Sequence, residues 1–155
     1  MIVKNRQAAR KWLNGITWQI AGTITFDDKT NDEARRRIMK IFKGRINRLI
    51  YNNAIKKKRG NKRIEILIIS ENNCIDTNLH YHLAINMPKD LGDDCDLFCK
   101  FLVAVWKEHC GTSFMCKFKT IYDSKGWIDY ITKGIKGNNC DGIELYSSQL
   151  ARLNS

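Results

Sequence analysis

The chain has 155 residues, of which 43% are hydrophobic, and its 27 lysines and arginines exceed its 16 acidic residues to give a net charge of +11. This size and hydrophobic content suit one domain with a buried core and exclude a disordered chain. No run approaches the ~20 apolar residues of a transmembrane helix, and residues 1–11 are too polar for a signal peptide. The excess of positive charge favours a polyanionic partner, and nucleic acid is the leading candidate. The alternative is that the surface is basic without binding any such partner.

The predicted elements alternate between strands and helices along the chain. Residues 17–26 alternate between apolar and polar side chains, which is typical of a strand. A long helix follows, capped by Asn31 or Asp32, and leads through a basic loop at 56–63 to strands at 64–70 and 79–86. A second helix opens at Asp93 or Asp94 and stops at Gly111, and after a strand at 114–121 a third helix, capped by Ser124, runs to about residue 135.

The order β-α-β-β-α-β-α predicts an α+β fold. We expect an antiparallel sheet with helices on one face and the other face open, as in ferredoxin-like and RNA-recognition domains. One domain over residues 1–155 accommodates all of these elements.

The six cysteines contain no Cys-x-x-Cys pair. A chain with a core of this size and no visible export signal has no need of disulfides. We therefore expect reduced thiols in an intracellular protein, several of them in the core, rather than disulfides or a zinc site. The six are Cys74, Cys95, Cys99, Cys110, Cys116 and Cys140.

The third strand carries two of the chain's 3 histidines, His80 and His82, at alternate positions. Alternation places both imidazoles on the face opposite the helices, where they can bind one divalent metal ion. A hairpin with the preceding strand would bring Glu71 beside them, with Glu65 as a second choice. The alternative is a pair of surface histidines on a polar sheet face.

The last helix carries Tyr130 and Lys133, which lie one turn apart on the side away from the core. A phenol can act as a nucleophile, and an ammonium can hold a phosphate or stabilise developing charge. By itself this pair also fits an ordinary surface tyrosine. Trp127 lies one turn before Tyr130 and is a candidate to stack on a base or to support the helix.

Together these motifs resemble those of the HUH endonucleases, in particular the Rep initiators of rolling-circle replication. The likeness covers roughly residues 16–137 and follows the family's order of motifs. It consists of a hydrophobic strand with threonines at 22–26, a His-hydrophobic-His motif at 80–82 with a carboxylate upstream, and Tyr-x-x-Lys at 130–133.

The resemblance implies a metal-dependent nickase and strand transferase that forms a 5′-phosphotyrosine link to single-stranded DNA. It assigns the metal, Mg²⁺ or Mn²⁺, to His80, His82 and Glu71, the nucleophile to Tyr130, and phosphate positioning to Lys133. DNA contacts are expected from the polar sheet face and Trp127, with electrostatic help from the basic helix. The polar sheet-face residues are Thr23, Thr25, Lys117 and Lys119.

The substrate that the resemblance implies is a replication origin, as a single strand or a hairpin, with no membrane involved. No GxxxxGK[ST] motif occurs, so we expect no helicase domain and a host helicase or polymerase acting in trans. Such a protein works inside the cell, in the cytoplasm of a bacterium or in the nucleus for a eukaryotic virus.

Two alternatives stay open. A single-tyrosine HUH transposase fits the chain's size, but such enzymes carry a glutamine where this chain has Gly134. A non-catalytic module of RNA-recognition type would read bases with aromatic residues on its open sheet face, where this chain has Glu71, His80 and His82.

Overall fold

The computed structural model of the chain describes residues 6–27, 29–51, 63–71, 79–111 and 115–133, together with Ser148 and Leu150. Most of the predicted basic loop at 56–63, and Cys74 and Cys140, lie outside these residues. The elements in chain order are α1 (Arg6–Asn14), β1 (Ile20–Phe26), α2 (Asp32–Tyr51), β2 (Glu65–Glu71), β3 (Leu79–Asn86), a 3-10 turn (Lys89–Leu91), α3 (Cys95–His109), β4 (Met115–Thr120) and α4 (Ser124–Ile131).

The four strands form one antiparallel sheet in the order β2-β3-β1-β4. The predicted α+β class with an antiparallel sheet is confirmed. β1 and β3, which carry the threonine and histidine motifs, are the two central strands. Their side chains are therefore held from both sides.

Two of the predicted helix starts agree with the structure. Asn31 Oδ1 accepts a hydrogen bond from the Ala34 amide at 2.8 Å, and Asp94 Oδ1 accepts one from the Leu97 amide at 3.0 Å. Each carboxylate or amide oxygen satisfies a backbone donor that the first helical turn leaves unpaired.

The predicted cap of the last helix is wrong by one residue. Asp123, not Ser124, caps α4, and its Oδ1 accepts from the Gly126 amide at 2.9 Å. The Ser124 hydroxyl accepts instead from the amide of Trp18 at 2.9 Å. The same contact explains why β1 begins at Ile20 rather than at residue 17, since the Trp18 amide bonds to a side chain and not to a strand.

The first core layer lies between α2, α3 and one face of the sheet. Its buried side chains come from alternate residues of the central strands and from the inner faces of both helices, and Trp106 packs edge-on against Phe26 and Phe42. Cys99 belongs to this layer, and the other described cysteines, Cys95, Cys110 and Cys116, are free thiols packed against it. Among the described cysteines, the expected position in the core is therefore confirmed for Cys99.

A second core layer covers part of the opposite face and corrects the expectation of helices on one face only. Leu13 of α1 and Ile128 and Ile131 of α4 pack on Leu67 and Ala84 of the sheet. We did not predict α1, which is short and mostly polar, although the spacing of its buried Ala9 and Leu13 is that of an amphipathic helix. The uncovered remainder of this face holds the candidate site.

Candidate active site

Glu71, His80 and His82 come together on the sheet face that α1 and α4 partly cover. The intervening residues of β3 are buried in the first core layer, so both histidines project from the other side. Strand register sets Glu71 opposite His80 on one flank and sets Thr25 opposite His80 and Thr23 opposite His82 on the other. The hairpin prediction for Glu71 therefore agrees with the structure.

His82 is held at both ring nitrogens and is 5% exposed. Its Nε2 lies 2.6 Å from Glu71 Oε2, and its Nδ1 lies 3.4 Å from Thr23 Oγ1. A carboxylate only accepts hydrogen bonds, so Nε2 carries a proton and donates it to Glu71. In the neutral ring, Nδ1 then accepts from the Thr23 hydroxyl.

His80 is held at one nitrogen. Its Nδ1 lies 3.0 Å from Thr25 Oγ1, and its ring lies nearly parallel to that of His82, with centroids 6.4 Å apart and planes 13° apart. A hydrogen bond at Nδ1 fixes the orientation of an imidazole whose Nε2 is used for ligation. The threonines thus position the histidines, a role that their sequence pattern alone did not reveal.

The donor types at this site fit a divalent metal ion. Two imidazoles and a carboxylate form a set that Mn²⁺ and related ions accept. Among the residues that the structure describes, no group of three or more His, Cys, Asp or Glu side chains is already arranged to hold a metal. Glu71 is engaged with His82 in a hydrogen-bonded pair, so ligation by all three residues requires that pair to open.

The pKa of Glu71 lies below its ordinary value of 4.5. Burial alone would raise this pKa, but the hydrogen bond with His82 and the attraction of His82, Lys133 and His80 outweigh it. The group is therefore an ionised carboxylate at neutral pH.

Helix α4 and the turn after it carry the remaining candidate active-site residues, and the helix is anchored on two sides. Ile128 and Ile131 are buried in the second core layer. On the helix flank, Arg10 Nη2 of α1 lies 2.6 Å from Asp129 Oδ1. This ion pair fixes α4 against α1 and was not anticipated, because α1 itself was not predicted.

Tyr130 lies directly against the histidine pair. Its ring meets that of His82 at 5.7 Å between centroids and 75°, and stacks on Trp127 at 5.6 Å. Lys133 Nζ lies 4.1 Å from the centre of the Tyr130 ring. Trp127 donates its indole N–H to the Leu83 carbonyl at 3.1 Å, so it supports α4 and Tyr130 from beneath.

These side chains line one open groove of about 1020 Å³. Lys117 and Lys119, exposed on the edge strand β4, form one wall opposite Thr23 and Ala21 of β1. A second cavity of about 1030 Å³ adjoins the groove and shares Trp127 and Lys119 with it. Of the predicted DNA contacts, Thr23, Lys117, Lys119 and Trp127 line the groove, whereas Thr25 stands behind His80.

Glu65 lies at the far end of β2, beside Asn86, and is not part of the site. The first choice of carboxylate, Glu71, is the one beside the histidines. Strand direction decides between the two, since only the last residue of β2 faces the first residues of β3 in an antiparallel hairpin.

Comparison of the chain with protein-family models, curated proteins and solved structures gave no match. The likeness to HUH endonucleases thus depends on the motifs and on the side chains that surround them. Within the described part of the chain, no helix has the length and apolar character needed to cross a bilayer.

Proposed function

We propose that this chain is a metal-dependent endonuclease of single-stranded DNA that uses Tyr130 as its nucleophile, as in HUH initiators of rolling-circle replication. One observation carries the proposal: the Tyr130 ring, from the last described helix, packs on His82, whose Nε2 binds Glu71. Residues from three separate sequence motifs thus share one groove. An unrelated surface tyrosine and two unrelated surface histidines would not be expected to lie in one groove.

The chemistry of Tyr130 is an in-line displacement at phosphorus. The phenol oxygen forms a bond to phosphorus and loses its proton to solvent, and the bond from phosphorus to the 3′ oxygen breaks. The 3′ oxygen takes up a proton and leaves as a hydroxyl, and the 5′ phosphate stays on the tyrosine. Because the new link is also a phosphodiester, a 3′-hydroxyl can later reverse the reaction and rejoin the strand.

Lys133 and the histidine pair prepare this step. The Lys133 ammonium, held over the Tyr130 ring, is placed to attract the phosphate that the phenol would attack. His80, His82 and Glu71 would hold Mg²⁺ or Mn²⁺, which when bound would polarise the scissile phosphate. Thr23 and Thr25 keep the imidazoles oriented for that role.

The shape and charge of the groove suit a single strand. Lys117 and Lys119 supply positive charge along one wall for the phosphates. The groove is open to solvent beside Tyr130, which is 47% exposed, so an unpaired strand can reach the phenol.

The test is covalent trapping with single-stranded DNA and Mn²⁺. With a pool of oligonucleotides labelled at the 3′ end, we expect an adduct that survives SDS, since the downstream fragment stays on the protein; a 5′ label should leave with the released fragment. EDTA and Tyr130→Phe should each abolish the adduct. Tyr122→Phe is the matched control, because Tyr122 is 92% exposed and does not line the histidine groove, and it should leave the adduct intact.

Two outcomes would contradict the proposal. An adduct that persists in Tyr130→Phe would move the nucleophile to another residue. Tight binding that needs no metal, with no adduct from any oligonucleotide, would indicate the non-catalytic nucleic-acid module instead.

A further inference from the structure

The outer side of α2, the basic helix expected to help hold single-stranded DNA, lies on the other side of the sheet from the candidate active site and lines no part of its groove. Met39, Phe42 and Ile46 bury the inner side of the helix in the first core layer, away from the histidine face. On the outer side, Arg37, Lys40, Arg45 and Arg48 are exposed, and we call these four the α2 basic face.

This surface has little acidic compensation. The helix has acidic residues only in its first turn, at Asp32 and Glu33. Glu33 lies 3.3 Å from Arg37, and no ion pair to Lys40, Arg45 or Arg48 is formed among the described residues. The charge on the rest of the helix is therefore available to a partner.

Positive charges crowd one another beside this face. The pKa of Lys43 lies below its ordinary value of 10.5, because burial lowers it and the neighbouring Arg63 and Lys40 lower it further. Like charges held together destabilise the free protein slightly, and a bound anion would relieve this repulsion.

Gly44 lies in the middle of the α2 basic face, and no contact or backbone angle among the described residues requires glycine there. It lies one helical turn from Lys40 on one side and from Arg48 on the other. A methyl group added there would meet no atom of the described residues within 4 Å, so their packing does not require its absence. Glycine inside a helix is less stable than alanine, and its use suits the close approach of another molecule's backbone.

We infer that the α2 basic face binds the phosphate backbone of duplex DNA, with the strand seated at Gly44. The helix has 20 residues and is therefore roughly 30 Å long, which is long enough to lie along a groove. Single strands are held by aromatic stacking, and the face has only Ile41 and Leu49 as large exposed apolar residues. The site would hold double-stranded DNA next to a nicked strand, but it does not depend on the nicking chemistry.

The test is a salt titration of duplex binding without metal. Fluorescence anisotropy of a labelled duplex of about 25 base pairs would be measured in EDTA at several KCl concentrations. For Lys40→Gln/Arg45→Gln/Arg48→Gln we expect at least tenfold weaker binding and a log–log salt slope smaller by about 2 to 3. The control, Lys11→Gln/Lys29→Gln/Lys89→Gln, removes equal charge from exposed residues elsewhere and should weaken binding less than threefold.

Gly44→Gln tests close approach separately from charge. Because none of the described residues occupies the space beside Gly44, this variant should fold with an unchanged or higher melting temperature. Its affinity for the duplex should nevertheless fall several-fold. Nicking of a short single-stranded oligonucleotide should stay at the wild-type rate in all these variants, which separates this surface from the Tyr130 groove.

Three results would overturn the inference. If the α2 triple variant and the control triple variant lost equal affinity for the duplex, the loss would be due to net charge alone. Equal losses for single-stranded and duplex DNA would remove the preference for a duplex. Binding that depends on the α2 basic face for phosphatidylserine vesicles but not for the duplex would assign the surface to a membrane.

Discussion

Thr25 and Thr23 hold the two imidazoles from the neighbouring strand, so the precision of the site depends on hydroxyl groups outside the ligand set. Thr25 Oγ1 lies 3.0 Å from His80 Nδ1, and the Thr23 bond to His82 is longer, at 3.4 Å. Such outer partners typically change metal affinity 10- to 100-fold when removed. They fix the direction of each imidazole ring.

We therefore predict that Thr25→Val weakens Mn²⁺ binding by roughly tenfold. Valine keeps the shape of threonine and removes the hydrogen bond, which leaves His80 free to rotate. Electron paramagnetic resonance of free Mn²⁺ gives the affinity directly, without reference to nicking. Thr25→Ser keeps the hydroxyl and should bind as the wild type does; equal affinity in all three proteins would remove the positioning role.

A second prediction at this scale concerns the thiols of Cys99 and Cys110. Burial raises the pKa of Cys99 to about 11, with further increases from Asp96 and Cys95, and burial together with Cys116 raises that of Cys110 to about 11. At pH 8 only about one thiol in 10³ is then ionised, against about a quarter for an ordinary cysteine. Iodoacetamide should label both residues at least a hundredfold more slowly than in the urea-unfolded chain, and the rate should rise about tenfold per pH unit between pH 7 and 9.5. Fast labelling of the folded protein at pH 8, measured by mass spectrometry, would contradict this.

At the scale of elements, the position of Tyr130 depends on α1 as much as on α4. The Arg10–Asp129 ion pair joins the two helices, and its atoms are 2.6 Å apart. The pKa of Asp129 lies below its ordinary value of 3.8, chiefly because Arg10 hydrogen-bonds to the carboxylate. Since the folded pKa is the lower one, the pair stabilises the fold above about pH 4, and this contribution is lost as pH falls through the folded pKa.

We predict that Asp129→Asn lowers the melting temperature at neutral pH and slows nicking by roughly tenfold, because Tyr130 is no longer held in place. The difference in melting temperature from the wild type should shrink as the pH falls through the folded pKa of Asp129, which lies below 3.8, because the wild-type carboxylate then also becomes protonated. Arg37→Gln, which removes the exposed pair with Glu33, is the control and should leave nicking unchanged. A stability difference that persists in acid would assign the effect to something other than the ion pair.

The elements that could be predicted are those with local signals. The β3 bounds follow from its alternation, and Asn31 and Asp94 are recognisable as helix caps. The predicted cap of α4 was wrong because the Ser124 hydroxyl accepts a hydrogen bond from the amide of Trp18, which is far away in the sequence. Sequence spacing was enough to predict that Glu71 lies near the histidines. The packing of Tyr130 on His82 depends on the second core layer, whose residues are far apart in the sequence, so no local pattern predicts it.

At the scale of the whole molecule, the two faces of the sheet have different chemistry. One face combines a carboxylate, two imidazoles and a tyrosine in a groove of about 1020 Å³, and the other carries α2 with its exposed basic residues. Among the described residues, both surfaces therefore carry basic side chains, with Lys117, Lys119 and Lys133 along the groove and the α2 basic face on the other side. Under the proposed function, a single strand would be cut on one side of the sheet while duplex DNA is held on the other.

The most direct test of this account is to identify the residue that carries the DNA. The adduct trapped with Mn²⁺ would be digested with nuclease and trypsin, and the peptides analysed by mass spectrometry. We predict a nucleotide on the tryptic peptide of residues 126–133, whose only tyrosine is Tyr130. A nucleotide on the peptide of residues 120–125, which carries Tyr122, or on any other tyrosine would contradict it.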